Sequence, residues 1–137
     1  FINPKNDEGE DIIFKMRETA ARLLVGMQWS FNSTPSIRFD LFSLEQRRNI
    51  FLIYKEALTN VIRHSKANKC FVDIKGQSDQ LILKVIDEGE GFDVNGVKKN
   101  TGVLSMLKRS EKIKGKLLIE SEINRGTTIT LDVKANM

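Results

Sequence analysis

Glu56-Ala57-Leu58-Thr59-Asn60-Val61-Ile62-Arg63-His64-Ser65 is the stretch on which the reading of this chain turns. Glu56, Asn60 and Arg63 stand at i, i+4 and i+7, so in a helix they share one face. Ala57, Leu58, Val61 and Ile62 face another way, toward a core. On an arbitrary helix such a row is a solvated face with an acid–base pair. A carboxylate, an amide and a guanidinium in line become a binding wall only if the rest of the chain supplies the other half of a site.

Upstream, Ser43-Leu44-Glu45-Gln46 has the form of a capping box, so the long helix starts there and runs through Ile50, Phe51, Tyr54 and Ala57 to Ile62. Before it, Ile12, Ile13, Met16, Ala20, Leu23 and Leu24 recur at helical spacing, and Gly26 ends that helix. The alternating aromatic run Gln28 to Ser33 predicts a strand, and Ile37-Arg38-Phe39-Asp40 a second short one.

Downstream, Cys70 to Lys75 alternates as a strand, Gly76-Gln77-Ser78-Asp79 is turn chemistry, and Leu81 to Ile86 reads as a central strand. A polar stretch from Asp93 to Thr101 predicts a mobile loop. Gly102 opens another helix with Val103, Met106, Leu107, Ser110 and Ile113 on one stripe, and Gly115 is expected as its C-terminal cap. Two strands, Leu117 to Ser121 and Thr128 to Val133, flank the turn Asn124-Arg125-Gly126. The order predicts one mixed sheet with helices on one face.

With 137 residues, 40% apolar and 29% charged, the chain is sized for one globular domain. A net charge of +4 suits a nucleotide or an acidic partner, and solubility explains it equally well. No apolar run is long enough to cross a bilayer and no signal peptide is visible. A start at Phe1 predicts a piece of a longer protein. The single cysteine, Cys70, lies in an apolar strand, where packing is the expected role, and fits a cytoplasmic setting.

The other half of the site is sought at Asp87, which ends a buried strand just before Gly89 and Gly91. An acid there can accept a hydrogen bond from an amine such as that of adenine, and the glycines let a ligand approach backbone. Asp-x-Gly-x-Gly is also ordinary hairpin punctuation. Thr101-Gly102 offers free N–H groups of a helix N-terminus to a phosphate, or merely lets the helix start. Asn60 offers an amide oxygen suited to Mg²⁺, Glu56 a group to orient or deprotonate a nucleophile, and Arg63 and Lys66 positive charge for phosphate. His64, the only histidine, is expected to stack or pack. A P-loop and a Cys/His zinc cluster are both missing from the sequence.

The order of these parts resembles the catalytic, ATP-binding domain of two-component sensor histidine kinases. Glu56-x-x-x-Asn60-x-x-Arg63-His64-Ser65 resembles its asparagine box. Asp87-x-Gly89-x-Gly91-Phe92 resembles the first glycine box, Thr101-Gly102-Val103-Leu104-x-Met106 with Arg109 the second, and Arg125-Gly126-Thr127-Thr128 the closing Gly-Thr element. Arg47 to Ala57 is similar to the sensor kinases with compact ATP lids, and Phe1 to Asp7 to the junction after their phosphoacceptor helices.

The resemblance implies a Bergerat fold, an α/β (α+β) two-layer sandwich with helices packed on one face of a mixed sheet. It implies a single domain over 1–137, of which 1–26 are the junction and first helix. It implies ATP with Mg²⁺: Asp87 on the adenine amine, Thr127 supporting that end, Asn60 on the metal, Glu56 as base or orienter, Arg63 and His64 beside the nucleotide, and Gly89, Gly91, Gly102 and Val103 shaping pocket and lid. The γ-phosphate would pass to a histidine in a dimerisation domain outside this chain and then to a response regulator. No nucleic acid is implied. The fragment is expected to be monomeric and its parent a homodimer, cytoplasmic and compatible with an inner-membrane anchor. Two positions depart from the family pattern: Val103 stands where a glycine-leucine pair is often completed, and Lys116 follows Gly115 where paired glycines are common. An anti-sigma-type serine kinase and a degenerate module without turnover are the alternatives.

Overall fold

The computed structural model describes residues 10–35, 37–91 and 101–135. Five strands form one mixed sheet in the order β1-β2-β3-β5-β4: β1 Gln28–Ser33, β2 Lys69–Gln77, β3 Gln80–Asp87, β4 Lys116–Glu122 and β5 Gly126–Lys134. β1 runs parallel to β2, and every other pair is antiparallel. Among the described residues, three α-helices, α1 Glu10–Leu23, α2 Leu44–Asn60 and α3 Thr101–Lys112, accompany the sheet. The two-layer reading therefore stands, with the expected central strand at the middle of the sheet as β3.

Period-two alternation decides which face of the sheet is covered. Leu81, Leu83, Val85 on β3 and Ile129, Leu131, Val133 on β5 are buried against Met16, Ile50, Ile53, Leu58 and Met106 of the helices. Tyr54 ties the helical layer together, its hydroxyl donating to the Met16 carbonyl at 2.6 Å. Burial pushes that phenol well above its ordinary range.

The capping box is formed: Gln46 N–H donates to Ser43 Oγ at 3.1 Å and Ser43 N–H to Gln46 Oε1 at 3.0 Å. Gln46 also donates from Nε2 to the Lys134 carbonyl at 2.8 Å, which anchors the start of α2 at the end of β5. Lys134 pairs with Gln80, whereas Cys70, which follows α2, pairs with Asp87 at the opposite end. α2 thus runs toward the Asp87 end. α3 runs the other way, because β4 begins at Lys116 opposite Asp132 and reaches the Asp87 end only at Ser121, opposite Thr127.

Five local expectations are corrected. Ile37 to Asp40 is no strand: Phe39–Leu41 is a 3-10 turn. Phe39 and Phe42 are both buried at i, i+3, with ring centroids 6.1 Å apart, and that spacing closes a turn rather than extending the chain. The long helix stops being α-helical at Asn60 and continues as a π-turn over Val61–Ser65. Ile62 does not face the core but is 45% exposed. At about 100° per residue it falls roughly 120° from Ile50, outside the buried arc. Leu107, at the margin of the α3 stripe, is 37% exposed for the same reason.

Gly115 is not the left-handed cap. Lys114 takes that conformation, at φ 54°. Lys114 N–H donates to Glu111 O at 3.1 Å and Gly115 N–H to Ser110 O at 2.8 Å, which is a Schellman closure with Gly115 one residue further on. A Cβ on Gly115 would lie 3.2 Å from Leu131 Cδ1, so a small residue is favoured there by packing. The expected loop from Asp93 to Thr101 lies outside the described residues except for Thr101, which begins α3.

Candidate nucleotide site

Asp87 takes the fourth inward position of β3, after Leu81, Leu83 and Val85, and a carboxylate stands where the pattern calls for an apolar side chain. It is 6% exposed and sits between Cys70 on β2 and Thr127 on β5 in one cross-strand row. A buried carboxylate is costly unless hydrogen bonds hold it. Gly89 N–H donates to Asp87 Oδ1 at 2.9 Å. Burial still pushes the carboxyl above its ordinary value, while the backbone N–H groups of Gly89 and Thr127 pull it down. The neighbouring Cys70 thiol is pushed up to about 12, by burial first and by the Asp87 charge second.

Two glycines permit close approach here. Gly91 has φ +65°, and a Cβ on it would lie 1.9 Å from the Glu122 carbonyl oxygen. Gly126 has φ +86°, and its Cβ would lie 2.2 Å from the Asp87 carbonyl oxygen. Only glycine meets both demands. The Asn124 N–H donates to the Glu90 carbonyl, so the turn after β3 is fastened to the β4–β5 turn. Thr127 is 7% exposed, and its Oγ1 lies 2.8 Å from Ser121 Oγ. A cleft of about 600 Å³ opens at this corner, lined by Asp87, Ile119, Ser121, Arg125, Gly126 and Thr127 among others.

The polar row of α2 does not line that cleft. Glu56 and Asn60 are half-buried on their helix and Arg63 is exposed in the π-turn. His64 belongs to that turn, and its side chain lies outside the described residues. The two halves meet through Lys66, just past the π-turn, whose Nζ lies 3.6 Å from Glu90 Oε1. Both side chains are exposed, so the contact contributes little energy and only shows that the two segments are neighbours. Gly102 and Val103 are buried in the first turn of α3. Asp87, Gly89, Gly91 and Thr127 thus form one group, and Glu56 and Asn60 a second on the helix leading to Lys66.

Two features escaped the sequence reading. Gly126, read as part of a turn and of the closing Gly-Thr element, carries a close approach to the Asp87 backbone that neither reading foresaw. Asn49, read as nothing, is 4% exposed and accepts from Arg109 Nη1 at 3.2 Å across the α2–α3 interface.

The model of the histidine kinase-, DNA gyrase B- and HSP90-like ATPases matches residues 45–137. The chain belongs to this family. Within it, the proteins that the chain resembles are histidine kinases. The sensor histidine kinase LiaS of Bacillus subtilis (strain 168) is 43% identical over 86 residues, which is 62% of this chain and 24% of LiaS. The chain therefore spans about a quarter of that relative's length. The fold is shared with the histidine kinase AdeS of Acinetobacter baumannii, at TM-score 0.73 and 19% identity over 95% of this chain and 66% of that one. It is shared also with full-length ShkA in complex with AMPPNP, at TM-score 0.71 and 13% identity over 93% of this chain and 30% of that one. Among the described residues no helix is long and apolar enough to cross a membrane.

Proposed function

We propose that this domain binds Mg²⁺-ATP with the base at Asp87 and the phosphates toward α2, and donates the γ-phosphate to a histidine outside this chain. The observation that carries the reading is the buried carboxylate of Asp87, held at a cleft where the backbone packs against Gly126 too closely for any side chain. An exocyclic amine is the donor such an acceptor takes, and Thr127 beside it supports the same end. The residues suit ATP on this ground.

The metal needs a separate test. Among the described residues no group of three His, Cys, Asp or Glu side chains is placed to hold an ion. Asn60 offers one hard oxygen, which suits Mg²⁺ held mainly by phosphate and water. When bound, Mg²⁺ would neutralise charge on the phosphate oxygens. Glu56, one turn earlier, accepts or orients the proton of the incoming imidazole. Arg63 balances phosphate charge, His64 neighbours the nucleotide, and Gly102 and Val103 in the first turn of α3 shape the pocket and lid.

In this reading the whole chain, 1–137, is one catalytic unit, with 1–26 joining it to a dimerisation and phosphoacceptor domain. That domain and a response regulator are its protein partners, the parent is a cytoplasmic-facing homodimer that an inner-membrane anchor can hold, and the fragment alone is a monomer. Incubation with a purified phosphoacceptor domain and γ-labelled ATP tests it. Acid-labile, base-stable label on histidine is expected. Acid-stable label on serine would move the chain to the serine-kinase reading, and binding without transfer to a module that does not turn over.

A further inference from the structure

We infer that Asn49 and Arg109 are a positioning pair that sets the register of α3 against α2, and so the alignment of the phosphate half of the site. The inference rests on the reading above and deepens it. Asn49 is almost fully buried. Its Nδ2 donates to the Glu45 carbonyl at 2.9 Å, one turn back, and its Oδ1 accepts from Arg109 Nη1 at 3.2 Å. Asn49 spends both ends of its amide on fixed partners, and the charged donor makes the interhelical bond the stronger kind.

The spacing gives that bond leverage. Asn49, Glu56 and Asn60 stand at i, i+7 and i+11, on one face of α2. Gly102 and Arg109 stand at i and i+7, on one face of α3. The helices run in opposite directions, as their connections to β4 and β2 require. Two turns cover about 10.5 Å on either helix. With Arg109 fastened to Asn49, Gly102 is carried abreast of Glu56, and the first turn of α3 faces the Glu56–Asn60 row. Slippage of α3 by one residue would move that turn by about 1.5 Å. The Asp87 corner, built on β3 and β5, does not depend on this bond.

The test compares ATP and adenosine binding, by displacement of a fluorescent nucleotide, in the wild-type domain, Asn49→Leu, Arg109→Met, the double variant and Arg109→Lys, with thermal melts on each. Loss of the bond lowers ATP affinity about tenfold and leaves adenosine affinity within about twofold. The double variant loses no more than either single one, and Arg109→Lys, which keeps a cationic donor, retains most of the ATP affinity. Equal losses for ATP and adenosine, or none for ATP, would overturn the inference while leaving the nucleotide reading intact. Should Arg109→Met fail to fold, Asn49→Leu and Arg109→Lys decide alone. A wild-type domain that binds ATP no better than adenosine would instead defeat the underlying reading.

Discussion

Gly126 lies against the backbone of Asp87 so closely that a Cβ on it would stand 2.2 Å from the Asp87 carbonyl oxygen. Thr127, the next residue, pairs directly with Asp87 across β3 and β5. The carboxylate is therefore positioned by a strand it does not belong to. Gly126→Ala forces that backbone apart at a left-handed φ. It is expected to cost about 1–3 kcal/mol of stability and to weaken nucleotide binding, measured by urea unfolding and titration. Gly115→Ala, whose nearest contact is the flexible end of Leu131 at 3.2 Å, is the milder comparison.

The buried carboxylate of Asp87 comes at the expense of stability. Its carboxyl is raised in the folded state, chiefly by burial. The folded protein therefore binds the proton more tightly than the unfolded chain. The contribution is fully present below the ordinary carboxylate value and is lost as pH rises through the raised one. Asp87→Asn should leave the nucleotide-free domain as stable at pH 7, or more so, and flatten this part of the pH profile. Thermal melts from pH 4 to 8 check it, and a large destabilisation at neutral pH would count against the assigned burial.

Cys70 follows the same sign on the alkaline side. Its thiol, buried beside Asp87, is pushed up to about 12. Its share of stability is present at neutral pH and is lost as pH rises from the ordinary thiol range through 12. Iodoacetamide at pH 8 should modify it only after unfolding, because the thiolate is the reactive form. Rapid alkylation of the native domain, read by mass spectrometry, would contradict this.

A substitution at Asn60 tests the proposed metal role apart from that of the base. Asn60→Ala should weaken Mg²⁺-ATP by about tenfold and leave ADP without metal much less affected. Calorimetry with and without EDTA measures the difference. Equal losses would remove Asn60 as a ligand.

Much of this was legible locally. The Ser43–Gln46 box, the strand from Gln28 to Ser33 and both hairpins are set by neighbours within a few residues, and each formed. What stayed hidden depends on distant partners. Phe39 was read with Ile37 as an alternating strand, but its decisive neighbour is Phe42. The π-turn after Asn60 has no local signature. Asn49 looks like one more polar helical residue until Arg109, sixty positions on, reaches it. The site divides the same way. Asp87 and its glycines advertise a turn after a buried strand, whereas the wedge of Gly126 exists only once β5 lies beside β3.

The most direct measurement is a calorimetric titration of the wild-type domain and Asp87→Asn with Mg²⁺-ATP and with ADP. Saturable one-to-one binding by the wild type is predicted, with a loss of at least about tenfold for both nucleotides in Asp87→Asn, as expected when a charge-assisted acceptor is removed. Unchanged affinity in the variant, with the fold intact by thermal melt, would contradict the placement of the base at Asp87.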